Sequence, residues 1–559
     1  MTTERPWLKN YPSGIPANIN PDEYPNLVAM FDETFKRYGN KPAFTNMGKS
    51  LTFNEIDKYS RQFGAYLSSR GLKPGDRIAL MMPNLLQYPI ALFGALRAGL
   101  VVVNTNPLYT PREMKHQFVD SGAKAILIAE NFAANLEKIL GDTAIDTVII
   151  TSLGEMLGFM KKTVVNFVVR SVKNMVPKYS IPNTVSFTEA LNQGKKFTLN
   201  VHQGEPNETI LLQYTGGTTG VAKAAMLTNR NLLANMAQIR AWMQPFVKDG
   251  QEIALCPLPL YHIFAFSVNC LALLSVGAHN ILITNPRDLK TVIKPFSEYR
   301  ISVMTGVNSL FNALVNNPDF AKQDFSHFKI ASGGGMAVQR PVAEKWAQIT
   351  GKPLCEGYGL TESSPVASTN PYDHTNRVGT IGLPIPSTDM RVADESNQPL
   401  GVDEVGEIQI KGPQVMKGYY NRPTETAECM VDGWLKTGDI GAMDADGYFR
   451  IVDRKKDMIL VSGFNVYPNE VEEVIAGHPK VMEAAAVGIP HEKSGEVVKV
   501  FVVKKDKSLT EQEVIDFCRE HMTGYKVPKA VEFRDDLPKS NVGKILRREL
   551  RDTPTNTPA

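Results

Sequence analysis

Cysteine is scarce in this chain of 559 residues, which contains five cysteines, scattered and odd in number. This usage excludes a disulfide framework and indicates a reducing compartment. Spacing typical of a zinc site is lacking too, because the nearest cysteine–histidine pair, Cys256 and His262, stands alone. The first residues, "MTTERPWLKNYP", lack the basic-then-apolar pattern of a signal peptide. We therefore expect a cytoplasmic protein.

A large excess of either charge is also lacking. The 61 basic and 58 acidic residues leave a net charge of +3, which gives no electrostatic footprint for nucleic acid. We expect no nucleic-acid partner. The composition, 43% hydrophobic and 21% charged, is typical of a globular enzyme. A chain of this length exceeds one compact core, so two or more domains are expected.

An uninterrupted membrane-spanning run is missing, although residues 253–286 contain no Asp, Glu, Lys or Arg. Pro257, Pro259, His262 and Asn269 interrupt this stretch. A strand, a buried helix of about fifteen residues and a second strand therefore fit the pattern better than a membrane span.

The remaining pattern predicts an α/β fold. Strand-like runs such as "RIALMM" and "AILIA" alternate with helical patterns across residues 75–152, and the alternation resumes over 210–358. It predicts parallel, doubly wound sheets in one large N-terminal domain. After Pro371, short strands with Gly and Pro turns indicate a small β-rich subdomain. The run "DRKKD" near Arg454 separates it from a smaller C-terminal α+β domain.

The stretch "YTGGTTGVAKA", Tyr214 to Ala224, packs three glycines, three threonines and a lysine behind a predicted buried strand. Glycine lets backbone N–H groups converge on an anion, and threonine hydroxyls add neutral donors. It is not a Walker loop, because Lys223 lies three residues beyond Gly220 and is followed by alanine. From this stretch alone, a phosphate-binding loop and a flexible surface turn both remain open.

Two more stretches carry groups that suit a nucleotide. In "EGYGLTE", Tyr358 can stack on a planar base, Thr361 can donate to a phosphate oxygen and Glu362 can reach Mg²⁺ through a hard oxygen ligand. In "SGGG", Gly334 and Gly335 allow the backbone to approach a flat ring, although a tight turn explains them nearly as well.

A carboxylate and a lysine near the end of the chain complete the set. Asp439 in "WLKTGDI" is placed to accept two hydroxyls of a ribose diol. Lys544 in "PKSNVGKILRREL" can meet a carboxylate and a phosphate together, or it is an ordinary lysine at a helix start. None of the five stretches decides the function alone.

In order and spacing, the five stretches together resemble the adenylate-forming superfamily of acyl-CoA synthetases, luciferases and peptide-synthetase adenylation domains. The resemblance covers nearly the whole chain, and "CPLPLYHIF" and "DRKKDMILVSGFNVYPNE" are similar to bacterial long-chain fatty-acid CoA ligases. The matched motifs are the phosphate loop (Thr215 to Lys223), Tyr-Gly-x-Thr-Glu (Tyr358 to Glu362), Thr-Gly-Asp (Thr437 to Asp439), the hinge (Arg454 to Asp457) and the C-terminal lysine motif (Lys539 to Lys544).

This resemblance implies ATP-dependent activation of a long-chain fatty acid to acyl-CoA through an acyl-adenylate, with release of AMP and pyrophosphate. ATP and coenzyme A are then co-substrates, and Mg²⁺ is a cofactor. The implied catalytic residues are Lys544, Glu362 and Thr215, of which Thr215 and Glu362 also bind the metal. The implied nucleotide-binding residues are Tyr214, Thr215, Gly216, Gly217, Thr218, Thr219, Gly220, Lys223, Gly334, Gly335, Tyr358, Thr361, Asp439 and Arg454.

The same resemblance implies a mobile C-terminal domain that rotates between the two steps. We expect an N-terminal domain over residues 1–453, a hinge at 454–457 with Lys456 at the matching position, and the mobile domain over 458–559. For coenzyme A, the loop around Gly463 is our hypothesis. We also expect a homodimer.

The apolar segment bears on the substrate. Between Glu252 and Asp288 no carboxylate is available to pair with the ammonium of an amino acid. Since the resemblance places this segment in the wall of the acyl pocket, a fatty acid fits better. His262 either orients the carboxyl end or gates the tunnel, or it is a satisfied core histidine.

Residues 157–178 contain five basic residues and no acidic one. Lys162, Asn166, Arg170 and Lys173 follow a helical period. Another face carries apolar residues, namely Met160, Val164, Val168, Val172 and Met175. Such a helix either makes peripheral contact with the inner face of the membrane or packs on its own domain with a solvated basic face.

Two rival functions remain open at this point. One is an adenylating enzyme with another acceptor, such as a carrier-protein thiol or an oxygen. The other is a nucleotide sensor or fatty-acid-binding membrane protein without catalysis. The presence of Lys544, Glu362 and Thr215 together weighs against the second.

Overall fold

The structure, a computed structural model, describes residues 5–215, 222–454, 457–462, 464–491, 494–540 and 543–551. Some of the predicted site residues lie outside these ranges: Gly216, Gly217, Thr218, Thr219, Gly220, Lys456 and Gly463.

Most of the chain up to residue 384 builds two large sheets. Their strands are β1 (Pro42–Asn46), β2 (Lys49–Thr52), β3 (Arg77–Met81), β4 (Val101–Asn104), β5 (Ala123–Ala129), β6 (Thr147–Thr151), β7 (Val185–Ser186), β8 (Thr209–Thr215), β9 (Lys223–Thr228), β10 (Ile253–Cys256), β11 (His279–Leu282), β12 (Val303–Gly306), β13 (Ile330–Gly333), β14 (Leu354–Gly359), β15 (Val366–Thr369) and β16 (Leu383–Pro384). The first sheet has the order β9-β8-β4-β3-β5-β6-β7, and the second has the order β16-β15-β14-β13-β12-β10-β11-β1-β2.

The central strands of both sheets are parallel, as the alternating pattern predicts. In the first sheet β3 pairs parallel with both β4 and β5, and in the second β10 does so with both β11 and β12. The two blocks of alternation, 75–152 and 210–358, do not correspond one to one to the two sheets. Strand β8 pairs with β4 in the first sheet, and the N-terminal hairpin β1–β2 completes the second. Strand order depends on long-range pairing, which local patterns do not contain.

Helices cover the sheets. They are α1 (Leu27–Tyr38), α2 (Phe53–Ser69), α3 (Gln87–Arg97), α4 (Pro111–Ser121), α5 (Ala133–Glu137), α6 (Phe159–Phe167), α7 (Phe187–Gly194), α8 (Asn229–Met243), α9 (Ile263–Ala265), α10 (Leu289–Glu298), α11 (Asn308–Val315), α12 (Pro318–Ala321) and α13 (Arg340–Thr350). Helices α2 and α4 begin at capping boxes, Thr52 with Glu55 and Thr110 with Glu113, which satisfy backbone donors of the first turn.

The uncharged stretch 253–286 folds as strand, buried helix and strand, which confirms the prediction. Strand β10 leads to α9, which continues as a π-helix over Phe266–Leu273 before β11. The π geometry was not predicted. Among the described residues, no helix combines the length and the apolar character that crossing a membrane requires.

A third sheet and a C-terminal sheet follow. Their elements are β17 (Asp389–Ala393), β18 (Gly406–Lys411), β19 (Gly418–Tyr419), α14 (Pro423–Cys429), β20 (Met430–Val431), β21 (Trp434–Met443), β22 (Phe449–Arg454), β23 (Ile459–Val461), β24 (Phe464–Val466), α15 (Pro468–Ala476), β25 (Val481–His491), β26 (Gly495–Lys504), α16 (Glu511–His521), β27 (Ala530–Arg534) and α17 (Arg547–Arg551). The third sheet has the order β17-β18-β21-β20 with β22 on β21, and β19 instead extends the first sheet beside β9. In the last sheet β25, β26 and β27 enclose their own apolar core with α15 and α16.

The helix within residues 157–178 turns its polar face inward and its apolar face to solvent. This is the opposite of the orientation expected for a helix that packs on its own domain with a solvated basic face. This helix consists of α6 followed by a π-helical turn over Val168–Val172. The inward face carries Asn166, whose side chain accepts from Gly154 N and donates to Ser152 Oγ, both at 2.9 Å. The apolar side chains point to solvent: Phe159 is 86% exposed, Met160 80%, Val164 62%, Phe167 61%, Val172 62% and Met175 50%.

Candidate active site

A cavity of about 1630 Å³ opens at the carboxyl ends of β8, β12, β13 and β14, and the third and C-terminal sheets close it. The predicted site residues that the structure describes all line this cavity: Tyr214, Thr215, Lys223, His262, Gly334, Gly335, Tyr358, Thr361, Glu362, Asp439, Arg454 and Lys544. Folding thus brings together motifs that are far apart in the sequence. The role of each residue stays a prediction.

Asp439 is the centre of one hydrogen-bonded group. Tyr358 Oη donates to Asp439 Oδ2 at 2.7 Å, and Arg454 Nε lies 3.0 Å from Asp439 Oδ1. Asp439 and Arg454 face each other across β21 and β22, and Asp439 is 2% exposed. Burial and the adjacent carboxylate raise the pKa of the Tyr358 phenol far above its ordinary value. The carboxylate is therefore a fixed acceptor, which suits a diol.

Glu362 is held by a residue that the sequence did not reveal. Tyr419 Oη donates to Glu362 Oε1 at 2.6 Å, and Lys223 Nζ lies 4.5 Å from the centre of the Tyr419 ring. Burial and the Glu362 carboxylate raise the pKa of the Tyr419 phenol, so it stays a donor. Tyr419 belongs to the short strand β19 that pairs with β9, a long-range contact without a motif of its own.

Tyr214 fixes the end of β8 to α4. Its phenol donates to Asp120 Oδ2 at 2.7 Å, and Arg422 Nη2 donates to the other oxygen of Asp120 at 2.9 Å. Nearby, Thr215 Oγ1 donates to the carbonyl of Lys223 at 3.3 Å. Asp120 and Arg422 were not predicted, because both lie outside the motifs. Their contacts fix Tyr214, directly before the glycine-rich loop, and the bond between Thr215 and Lys223 joins the two ends of that loop.

Lys544 enters the cavity on a tight loop. Ser540 N donates to the carbonyl of Lys544 at 2.7 Å, and Lys544 N donates to Ser540 Oγ at 3.1 Å. Gly543 has φ +78°, and a Cβ there would lie 2.6 Å from Ser309 Oγ of α11. Only glycine therefore lets this loop meet the N-terminal part so closely.

His262 lies near the positive charge of Lys544. It caps α9, and its Nδ1 accepts from Phe264 N at 3.3 Å. Burial, and secondarily the charge of Lys544, lower the pKa of His262 to about 4. The imidazole is thus neutral at physiological pH. It can therefore make a polar contact in the cavity, but it does not act as the charged partner of an anion.

Glu356, directly before the Gly-Tyr-Gly sequence, is a further cavity residue without a predicted role. Its Oε2 accepts from Val338 N at 3.0 Å. Burial raises the pKa of this carboxyl, and the hydrogen bond from Val338 lowers it. Burial has the larger effect, so the pKa is about 8. Glu356 is therefore largely protonated at neutral pH, so an uncharged carboxyl faces the cavity.

Glu356→Gln tests this state. Glu356 binds a proton in the folded protein up to about pH 8 but ionises near 4.5 when unfolded. Its contribution to stability is complete below pH 4.5 and is lost as pH rises through 8. Glutamine keeps the acceptor without ionising, so the Tm of the variant minus that of wild type should rise between pH 5 and pH 8 and then level off. A pH-independent difference in thermal melts would show that Glu356 is ionised in the fold.

Apolar side chains of α8 and of the second sheet line part of the cavity, which we call the apolar branch. Its walls carry Ile239, Trp242, Met243, Val303 and Ile330. These side chains are almost completely buried and uncharged. The branch suits an alkyl chain and offers no partner for an ammonium group.

Family models and known relatives match most of the chain. Residues 31–420 match the AMP-binding enzyme family, and residues 470–544 match the AMP-binding enzyme C-terminal domain. A long-chain-fatty-acid–CoA ligase of Escherichia coli O6:H1 is 56% identical over 547 residues, which are 98% of either chain. One of Bacillus subtilis is 38% identical over 558 residues, 99% of either chain.

Solved structures share the fold. The anthranilate CoA ligase in complex with anthranoyl-AMP has a TM-score of 0.85 at 22% identity, covering 95% of this chain and 98% of its own. ATP-bound MatB of Rhodopseudomonas palustris has a TM-score of 0.82 at 27% identity, covering 94% and 99%. With these matches across nearly its whole length, the chain belongs to the AMP-binding enzyme family, the adenylate-forming enzymes that its motifs resemble.

Proposed function

We propose that the protein joins long-chain fatty acids to coenzyme A through an acyl-adenylate, with release of AMP and pyrophosphate. The observation that carries this proposal is the cavity itself, which is lined by Lys544, by the buried carboxylate of Asp439 and by the uncharged side chains of the apolar branch. The identity of 56% to ligases named for long-chain fatty acids supports the choice of substrate.

The first step must bring two anions together, the fatty-acid carboxylate and the α-phosphate of ATP. A cation at the reaction centre lowers the barrier because it stabilises the charge that develops there. We assign this role to Lys544. Tyr358 would stack on adenine, while Asp439 and Arg454 would hold the ribose. The loop that begins at Thr215 would bind the β- and γ-phosphates.

A magnesium ion fits the donor set. Thr215 supplies a hydroxyl and Glu362 a carboxylate to the same cavity. Among the described residues, no group of three or more His, Cys, Asp or Glu side chains is arranged to hold a metal ion by itself. Mg²⁺ commonly keeps waters and uses one or two protein oxygens with substrate phosphates, so two donors suffice. When bound, the ion would neutralise phosphate charge.

The second step requires that Lys544 leaves and the thiol of coenzyme A enters. We propose that residues 458–559 form a domain that rotates about residues 454–457 against residues 1–453, with Lys456 as the hinge residue and Gly463 near coenzyme A. The contact between Ser309 Oγ and the carbonyl of Gly543 at 3.2 Å joins the two parts in the arrangement seen here.

Dependence of AMP release on coenzyme A tests the function. With Mg²⁺-ATP and oleate, AMP should form in amounts equal to acyl-CoA, and only when coenzyme A is present. Pyrophosphate release without acyl-CoA would indicate another acceptor, such as a carrier-protein thiol. No substrate-dependent pyrophosphate at all would indicate a binding protein without catalysis.

A second proposal is peripheral contact with an anionic membrane through the α6 face, defined by Phe159, Met160, Val164, Phe167 and Val172. Exposed apolar side chains clustered on one helix mark an interaction site. Polar contacts fix the other side, since Arg170 Nη2 donates to Glu130 Oε2 at 2.7 Å in addition to the bonds of Asn166. Lys161 and Lys173, both exposed, add positive charge beside the face. An apolar face with a basic margin complements anionic lipid.

The double variant Val164→Glu, Phe167→Glu should lower co-sedimentation with vesicles of phosphatidylcholine and phosphatidylglycerol by more than tenfold, because each buried apolar side chain adds about 1.5–3 kcal/mol. Val402→Glu is the matched control, because this valine elsewhere on the surface is 51% exposed, against 62% for Val164. Activity on detergent-dispersed oleate should be unchanged. Equal sedimentation of variant and control would exclude the α6 face as the contact.

A further inference from the structure

The apolar branch is lined by two walls. One wall is α8, where Ile239, Trp242 and Met243 follow the spacing i, i+3, i+4 and so share one face. The other wall is formed by β12 and β13. Val303 stands opposite Ile330, and Thr305 opposite Ser332.

The sheet wall has a direction. The parallel strands β12 and β13 end at the catalytic side of the cavity, where Gly334 follows β13. Side chains two residues apart lie on the same face of a strand. Ile330 is four residues before Gly334, so it lies about 13 Å deeper along the strand. A path of that length holds about ten carbon atoms of an extended chain.

The helix wall also has a direction, because α8 leads away from the Tyr-Gly-x-Thr-Glu motif. Midway along α8, Asn235 exchanges two hydrogen bonds with Val366, at 2.8 and 3.1 Å. Val366 pairs with Gly359 of the Tyr-Gly-x-Thr-Glu motif. Seven residues later, Trp242 Nε1 donates to the carbonyl of Asn370 at 3.3 Å. Seven helical residues advance about 10 Å along α8, so Trp242 lies about that far from Gly359 of the motif.

Trp242 is firmly held in this place. Its side chain is 1% exposed, its indole nitrogen is bonded to Asn370, and the ring of Tyr11 stands edge-on to it at 5.1 Å between centroids. Tyr11 is in turn anchored, because its hydroxyl donates to the carbonyl of Pro384 at 2.5 Å. A large ring fixed on two sides cannot turn aside for a longer chain.

Resting on the proposed ligase function, we infer that Trp242 closes the apolar branch and thereby sets the longest fatty acid that the enzyme accepts. Ile239, one turn nearer the motif, lies along the path of the chain and not at its end. A larger side chain at Ile239 should therefore shorten the accepted chain, whereas a smaller one at Trp242 should lengthen it.

The test is the profile of kcat/KM for saturated acids from octanoate to docosanoate, measured at saturating ATP and coenzyme A. In Trp242→Ala the ratio of arachidate to laurate should rise by about tenfold or more, because single methylenes in apolar pockets change kcat/KM by that order. Trp242→Phe should move the ratio in the same direction by a smaller factor. Ile239→Phe should shift the optimum to acids shorter by about three or four carbons, the length of one helical turn.

Trp346 provides a matched control. It is fully buried like Trp242, but it packs among Phe311, Phe320 and Phe328 and does not line the cavity. Trp346→Phe should leave the profile unchanged. Folded Trp242→Phe and Ile239→Phe proteins with the wild-type profile would overturn the inference. If Trp242→Ala fails to fold, Ile239→Phe still decides. A wild-type protein that forms no acyl-CoA from any acid would instead refute the ligase function.

Discussion

Lys544→Ala should reduce the rate of acyl-adenylate formation by about 10²- to 10³-fold, the loss that follows removal of one preorganised group that stabilises transition-state charge. The same variant should convert supplied acyl-adenylate and coenzyme A to acyl-CoA at close to the wild-type rate. Lys544 faces the cavity together with His262 in the arrangement seen here. We propose that this lysine leaves the cavity before the thiol attacks, so its loss should not slow the second step.

Substrate-dependent exchange of pyrophosphate into ATP measures the first step, and thioester formation from supplied oleoyl-adenylate measures the second. Lys507→Ala, at an exposed lysine of the C-terminal region away from the cavity, is the matched control and should be unchanged in both assays. Equal losses of Lys544→Ala in the two half-reactions would contradict the assignment, since a general structural defect would have that effect.

Asp439→Asn should raise the KM for ATP by about 10- to 100-fold. The substitution removes the charge that binds Arg454 and accepts from Tyr358, and it leaves the guanidinium without its buried partner. Hydrogen bonds to charged groups contribute about 1.5–3 kcal/mol each, which corresponds to this range. The effect on the KM for oleate should be small, because the apolar branch is formed by other elements.

Asp389→Asn is the control for this variant. Asp389 also lies in the third sheet and pairs with an arginine, Arg5, at 2.6 Å, but it does not line the cavity. Initial rates over a range of ATP concentrations at saturating oleate give the KM for ATP of each variant, and rates over a range of oleate concentrations at saturating ATP give the KM for oleate. An unchanged KM for ATP in folded Asp439→Asn would exclude a ribose contact at this residue.

Local signals explain why much of the fold could be predicted. The strands β3 to β6 are short apolar runs that alternate with helices, of which α4 begins at a recognisable capping box, so chain order alone indicates parallel sheets. The motif residues could be assigned because the order and spacing of their stretches resemble those of the adenylate-forming superfamily, and the structure brings those that it describes to one cavity.

Contacts between distant segments explain what was missed. The hairpin β1–β2 joins the second sheet through β11, more than two hundred residues away, and no local pattern predicts that pairing. Tyr419 bonds to Glu362 because β19 adds to the edge of the first sheet. The face of α6 was ambiguous because Asn166 finds buried partners at Gly154 and Ser152, which periodicity cannot show.

The most direct test of the central claim is the rate of acyl-CoA formation from Mg²⁺-ATP, coenzyme A and a series of acids from acetate to oleate. Our account predicts that kcat/KM rises steeply toward long chains, with AMP and acyl-CoA formed in equal amounts. A maximum at acetate or at an aromatic acid, or AMP without acyl-CoA, would contradict the claim that this cavity activates long-chain fatty acids for transfer to coenzyme A.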